Sequence, residues 1–289
     1  MGKKLNVGPS PIWKKDGWET IDHKPSRVDQ KTILGDANNI PLEDKSCSAI
    51  FCSHVIEHIP TYKFERVLLE FNRVLEKDGI VRFLTPNLKV IAKAYVEKDD
   101  SFFDKLLVEY ENIRTDLSYG GYFMNFLSSP GQDTVLFNRS LTEFIGGLAH
   151  VYLYDFEMLK ILLERYGFSE VEEKNFCESK LKDFEEPLHV EGMEPKWNIL
   201  NSEFYKKHNL IHGYNEKEGK YETNFTITGF DRDPMISLIV EAKKSDDVSE
   251  LKIQDKNNEA YSKSLLNENN FKLKCKLINS ISTIIDDHV

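Results

Sequence analysis

Short apolar runs closed by turn residues dominate the N-terminal part of the chain, and this pattern predicts strands. KKLNVG closes on Gly8, WETID on Asp22 and TILGD on Asp36. Branched and aliphatic residues bounded by glycine, proline and aspartate read as buried or half-buried strands. SAIFCS is a fourth strand, and it empties into a turn carrying Ser53, His54, Glu57 and His58. The period then changes. From about Tyr62 to Lys77, the residues Phe64, Val67, Leu68, Phe71, Val74 and Leu75 fall on one face at helical spacing. Asp78-Gly79 is expected to stop that helix, and DGIVRFLTPN to form a fifth strand ending at Thr85-Pro86-Asn87. A strand–helix–strand unit belongs to a parallel sheet, where ligands bind beyond the carboxyl ends of the strands. The polar cluster at Ser53–His58 therefore stands where an α/β fold keeps its chemistry.

The later pattern is interrupted. Asp155 can cap a helix with Leu159, Leu162, Leu163 and Tyr166 on its apolar stripe and Gly167 just past its end. SEVEEKNF reads as a strand, and Met235–Lys243 as a strongly β-type closing strand. Two insertions separate these elements. Residues 88–149 are rich in aromatics, among them Tyr95, Phe102, Phe103, Tyr110, Tyr119, Tyr122, Phe123, Phe126 and Phe137. Starting at the carboxyl edge of the sheet, this segment is expected to roof the site as a helical lid, with Gly120-Gly121 as its hinge. The alternative is that its aromatics pack on one another as the core of a small subdomain. Residues 177–226 form a second, polar insertion. The expected organisation is one α/β domain over 1–244, followed at 245–289 by a polar linker and a C-terminal helix.

LNVG, GWETID, GDANNIPLED, FCSHVIEHIP, FNRVLEKDGIVRFLTPN and HVYLYDFEMLKILLERYGF, in that order, resemble the class I S-adenosylmethionine-dependent methyltransferases, most closely their small type 11 bacterial branch. The resemblance covers roughly 3–90, 150–176 and the closing strand. It implies a Rossmann-like sheet, mostly parallel with an antiparallel edge strand, and S-adenosylmethionine as cofactor. Carried onto this chain, Gly8 and Ser10 would face the methionine portion. Asp22 would accept the ribose hydroxyls, as acidic residues after a second strand do in nucleotide-binding folds. Asp36 and Ala37 would border the adenine, and Ser53 would complete the pocket. One departure stands out. The family's glycine-rich first loop is here Gly8-Pro9-Ser10-Pro11, and so few residues separate the first two strands that the first helix must be very short or absent. Either the stiffened loop still cups the cofactor, or binding is weakened or lost.

Charge narrows the partners. A net charge of −10 and a pI near 5.4 argue against general nucleic-acid binding, which needs a basic surface. The Asn/Asp-Pro-Pro-Tyr/Phe motif of base-amine methyltransferases is replaced by Cys52-Ser53-His54-Val55. The four cysteines show no zinc spacing and no disulfide framework. No signal peptide and no bilayer-spanning apolar run stand out, so the cytoplasm is the expected compartment. The sequence does not set the oligomeric state.

His54, Glu57 and His58 form the sharpest local constellation. If a helix begins near His54, the three share a face at i, i+3 and i+4, and His150 could join them. Such a donor set suits a divalent zinc, iron or manganese ion. It also suits a metal-free site in which His54 is a general base or positions the acceptor, and a purely structural helix start. The metal is the less favoured reading. The expected function is methyl transfer to a hydroxyl or amine of a small-molecule, sugar or glycan-type acceptor. The alternative, favoured by the proline-substituted loop, is a catalytically silent binding or assembly module.

Overall fold

The computed structural model describes residues 2–9, 13–100, 102–103, 118–128, 150–175, 178–185, 211–215, 217, 220–223 and 237–248. The chain divides into two compact units at Asp247/Val248. In the first, β1 (Lys3–Val7), β2 (Trp18–Asp22), β3 (Thr32–Leu34), β4 (Cys47–Ser53), β5 (Leu75–Pro86), β6 (Phe168–Glu173) and β9 (Ser237–Lys244) form one sheet in the order β3-β2-β1-β4-β5-β9-β6. The first five strands pair in parallel. β9 runs antiparallel to both β5 and β6. It lies one place in from the edge, with β6 outside it. β7 (Ile211–Asn215) and β8 (Lys220–Thr223) form a separate hairpin within the second insertion.

The helices follow the predicted periodicity with adjusted ends. Helix α1 (Thr61–Val74) buries Phe64, Val67, Leu68, Phe71 and Val74. It stops at Val74 rather than Lys77, because Leu75 already pairs with Cys47 as the first residue of β5. Asp78, at φ +67°, sits where the β4–β5 register shifts, so Asp78-Gly79 marks an irregularity inside the strand and not a helix stop. Phe64 and Phe71 of α1 pack on Phe83 of β5, with ring centroids 6.0 and 5.9 Å apart. Each such buried side chain contributes about 1.5–3 kcal/mol. Helix α4 (Phe156–Arg165) is capped by Asp155, whose Oδ1 accepts the Met158 N–H at 2.9 Å. It ends at Tyr166 and Gly167, the latter at φ +80°, the left-handed stop that glycine tolerates best.

The opposite face of the sheet is covered in an unexpected way. Side chains paired in register between parallel strands point to one face, so Lys4, Trp18, Phe51 and Arg82 share a face. Among the described residues no helix joins β1 to β2, in keeping with the short spacing. Instead, a single turn of 3₁₀ helix, Lys182–Phe184, lies across these strands. Phe184 is buried against Trp18 and Phe51, with centroids 5.9 and 6.0 Å away. The Arg82 guanidinium stands 5.6 Å from the Phe184 ring centroid, pairs with buried Glu241 and donates to the Glu178 carbonyl. Asp183 accepts from Lys4 Nζ at 2.8 Å and from Trp18 Nε1 at 3.4 Å.

Part of the aromatic insertion is described. Helix α2 (Leu88–Glu97) is capped by Asn87, and α3 (Tyr119–Ser128) carries Gly120-Gly121 in its first turn. Tyr95 stacks on Phe123 at 4.9 Å, Phe103 on Tyr122 at 5.5 Å, and Tyr119 lies 5.9 Å from Phe103. These described rings pack on one another. Tyr110, Phe137 and the Phe126 side chain lie outside the described residues.

Candidate active site

Four strand ends meet at the carboxyl edge: those of β1, β4 and β5, and the start of β9, which arrives there because it runs antiparallel. At the end of β4 the chain turns through His54, which adopts φ +51° and donates its N–H to the Leu84 carbonyl at 2.8 Å. A left-handed histidine costs about 1–2 kcal/mol, and here it sets the direction of the ring. His54 Nδ1 lies 3.1 Å from Glu57 Oε1, and Nε2 lies 3.0 Å from the Ser237 hydroxyl. The Thr85 hydroxyl donates to the other Glu57 oxygen, Oε2, at 3.2 Å. The His54 and Glu57 side chains are 5% and 0% exposed.

The helical face expected for His54, Glu57 and His58 does not form. Only Ile56–His58 are helical, as one 3₁₀ turn, and His54 stands outside it. The Glu57 carbonyl accepts the N–H groups of Val151 (2.8 Å) and Tyr152 (3.3 Å). This tie brings His150 beside His58, with ring centroids 5.2 Å apart. One donor atom each from Glu57, His58 and His150 lies within 4.8 Å of the others. His54 is not in that group, since its nitrogens are turned to Glu57 and Ser237. Both carboxylate oxygens of Glu57 are already hydrogen-bonded, by His54 and by Thr85.

Burial alone would raise the Glu57 pKa. The His54 hydrogen bond and the charges of His54, His58 and His150 outweigh it and hold the carboxyl at about 2, against an ordinary 4.5. A carboxyl whose folded pKa is depressed stabilises the fold above its unfolded pKa. That contribution is lost as pH falls through the folded value. Denaturant unfolding of the wild type should therefore show a stability loss between pH 4.5 and 2. Glu57→Gln should lack that component, and equal pH slopes in the two proteins would count against this pairing.

The residues expected to hold a cofactor lie on the same edge. Gly8 ends β1 at φ +65°, and a Cβ there would come within 2.6 Å of Val55 Cγ2, so the backbone passes close to the turn after β4. Ser53 is buried, and its hydroxyl finds no hydrogen-bond partner among the described residues; the same holds for the Tyr154 hydroxyl. Burial pushes the Tyr154 phenol well up, keeping it neutral. Asp22 lines a cleft of about 200 Å³ with Pro9, Trp13, Thr20, Arg27 and Thr32. Its Oδ1 accepts the Lys24 N–H at 3.0 Å. The third strand ends at Leu34, before Asp36, which forms a tight turn: Oδ1 accepts the Asn38 N–H at 3.0 Å, and Oδ2 faces His23 Nε2 at 3.5 Å. Ala37 is buried beside it. Ser10 lies outside the described residues. The space beside Gly8 is taken by Val55, while an orphaned buried hydroxyl and a carboxylate on a cleft fit the methionine and ribose portions of S-adenosylmethionine.

Ser237, Thr85 and Tyr154 were not singled out from the sequence. The antiparallel closing strand was the signal available for Ser237, since its first residues must emerge at the carboxyl edge. No helix among the described residues is long and apolar enough to cross a membrane.

Residues 12–83 match the family described as "Methyltransferase domain". No curated protein matches the chain. Among solved structures, a SAM-dependent methyltransferase from Archaeoglobus fulgidus is 16% identical, over 84% of this chain and 86% of that one, with a TM-score of 0.39. An S-adenosylmethionine-dependent methyltransferase from Mesorhizobium loti is 12% identical over 84% and 92%, with a TM-score of 0.40. Phosphoethanolamine N-methyltransferase 2 from Haemonchus contortus, in complex with S-adenosyl-L-methionine, is 13% identical over 85% and 49%, with a TM-score of 0.37. With its strand order and its antiparallel β9, the chain carries a Rossmann-like α/β fold of the methyltransferase type, and the family match falls on β2 to β5 of that sheet.

Proposed function

We propose that the protein transfers a methyl group from S-adenosylmethionine to a hydroxyl or amine of a small-molecule, sugar or glycan-type acceptor. The observation that carries this reading is the buried Glu57–His54 pair at the carboxyl edge, beside the Gly8 and Ser53 approach. Asp22 would hold the ribose hydroxyls, Gly8 and Ser53 the methionine portion, and Asp36 with Ala37 would border the adenine. The bound cofactor supplies the electrophilic methyl group. The chain supplies alignment and a place for the acceptor's proton, the usual protein share of such a transfer. His54, held by a buried carboxylate, is that place. The acidic surface and the missing base-amine motif support a metabolite or glycan acceptor over a nucleic acid.

Calorimetry with S-adenosylhomocysteine tests the binding half. A charged hydrogen bond is worth roughly 1.5–3 kcal/mol, so Asp22→Ala should weaken binding by about one to two decades. Unchanged affinity in a folded variant would remove Asp22 from the site. Release of S-adenosylhomocysteine in the presence of a panel of sugars, polyols and amines tests the transfer half. Silence across the panel with intact cofactor binding would favour the assembly-module reading.

The reading needs no metal. The Glu57 oxygens are engaged by His54 and Thr85, so recruiting Glu57 as a ligand would cost one of those bonds. Elemental analysis of the purified full chain should find no stoichiometric divalent ion. A full equivalent lost on His58→Ala would overturn this and make Glu57, His58 and His150 a metal centre.

A further inference from the structure

We propose that the cleft at Asp22 holds a phosphate subsite, formed by Lys24 and Arg27, and that it binds nucleotides phosphorylated on the ribose 2′ or 3′ oxygen in competition with S-adenosylmethionine. The inference deepens the methyl-transfer reading and rests on its placement of the ribose at Asp22. It begins from charge. The chain as a whole is at −10, yet residues 1–31 hold seven lysines and arginines against four aspartates and glutamates. Several of these cations are paired: Lys3 and Lys31 with Glu19, Lys4 with Asp183, and Lys14 with Asp29. Lys24 and Arg27 both line the cleft, and neither has a carboxylate partner among the described residues.

The other walls of the cleft leave the anion to these two side chains. Thr20 Oγ1 and Thr32 Oγ1 bond to each other at 2.8 Å and donate to the Lys31 and Gln30 carbonyls. Pro9 and Pro25 have no N–H to offer. Asp22 Oδ1 accepts the Lys24 N–H, and no hydrogen bond reaches Oδ2 among the described residues. That oxygen is open to a ribose hydroxyl. No helix joins β2 to β3, so Lys24 and Arg27 stand exposed on the rim. Water and salt therefore keep the subsite moderate in strength.

S-adenosylmethionine does not account for the two cations. Its sulfonium and amino group outweigh its single carboxylate, so it carries net positive charge. Topology separates the two ends as well. Gly8 follows β1 and Ser53 closes β4, whereas the loop with Lys24 and Arg27 joins β2 to β3, beyond β1 in the order β3-β2-β1-β4. With the methionine portion at Gly8 and Ser53, the cations stand on the side of the ribose hydroxyls. A phosphate on one of those oxygens leaves the other hydroxyl for Asp22. A phosphate monoester carries about −1.5 to −2 charges, which a lysine and an arginine together balance. An arginine near the acidic residue of a second strand is a known device for holding a ribose phosphate.

The test is calorimetry on the full chain with adenosine and its 2′-, 3′- and 5′-monophosphates. At low salt the 2′ or the 3′ isomer should bind about 10–30-fold more tightly than adenosine. It should also bind more tightly than the 5′ isomer, and saturating S-adenosylhomocysteine should exclude it. Added salt should weaken the nucleotide and leave S-adenosylhomocysteine nearly unchanged. Lys24→Gln and Arg27→Gln should each cost the nucleotide about 3–5-fold, and the double variant should bind it no better than adenosine. Affinity for S-adenosylhomocysteine should not fall in the double variant. The subsite is overturned if adenosine or the 5′ isomer binds as well as the other two, if S-adenosylhomocysteine binds without excluding them, or if the double variant keeps the preference. A double variant that loses S-adenosylhomocysteine to the same degree would overturn it too, giving both cations to the cofactor. Failure of the wider reading looks different: no heat with S-adenosylhomocysteine, while the preference for the ribose phosphate persists.

Discussion

His54→Gln is expected to reduce methyl transfer by about 10²–10⁴-fold while leaving cofactor affinity intact. Glutamine can still donate an amide hydrogen to Glu57 Oε1, so the buried carboxylate keeps a partner and the turn after β4 keeps its anchor. It cannot take up a proton. The variant therefore separates the two roles open to His54, holding Glu57 and receiving the acceptor's proton. Single-turnover measurement of S-adenosylhomocysteine formation, set beside calorimetric affinity, reads both. A variant that binds cofactor and turns over at the wild-type rate would leave the pair a structural feature of the turn.

Glu57→Ala should be among the most destabilising single substitutions in the chain. Glu57 is fully buried and sits at the centre of contacts with His54, Thr85, Val151 and Tyr152. Removing one partner of a buried pair costs about 3–5 kcal/mol, because the remaining group is stranded. The Thr85 hydroxyl is stranded with it. In a chain of this size each kcal/mol lowers Tm by about 2–4 °C, so calorimetry should show a drop of roughly 6–20 °C. The bonds to Val151 and Tyr152 use the Glu57 backbone carbonyl and survive the substitution. A drop within 2 °C would mean that water or a neighbour satisfies the site at little cost.

The sheet was largely legible because its signals are local. Apolar runs and turn residues located β1, β2, β4, β5, β6 and β9 to within a few residues, and the helical stripe of α1 was read correctly except at its end. Leu75 shows why the end was missed. It continues the helical spacing, but pairing with Cys47 takes it into β5, a tertiary gain that periodicity does not report. The site was legible in composition and less so in geometry. Ser53, His54, Glu57 and His58 do cluster at the carboxyl edge. The left-handed turn at His54 breaks the helix on which their common face depended. Ser237 was harder to read for a different reason: its partner lies 183 residues away, and only the antiparallel direction of the closing strand brings it to the carboxyl edge.

Phe184 has a consequence for how the domain is made. Where the described β1–β2 connection lacks a helix, the face bearing Lys4 and Trp18 is closed by Asp183, 179 and 165 positions further along, and by Phe184 beside it. Contacts of such separation delay folding, since a long loop must close before they form. During synthesis this face of the first strands would stay uncovered until the chain has grown past Phe184. A fragment limited to residues 12–83 would keep the family's signature yet leave that face bare. The candidate cofactor half of this protein is therefore finished from its other end.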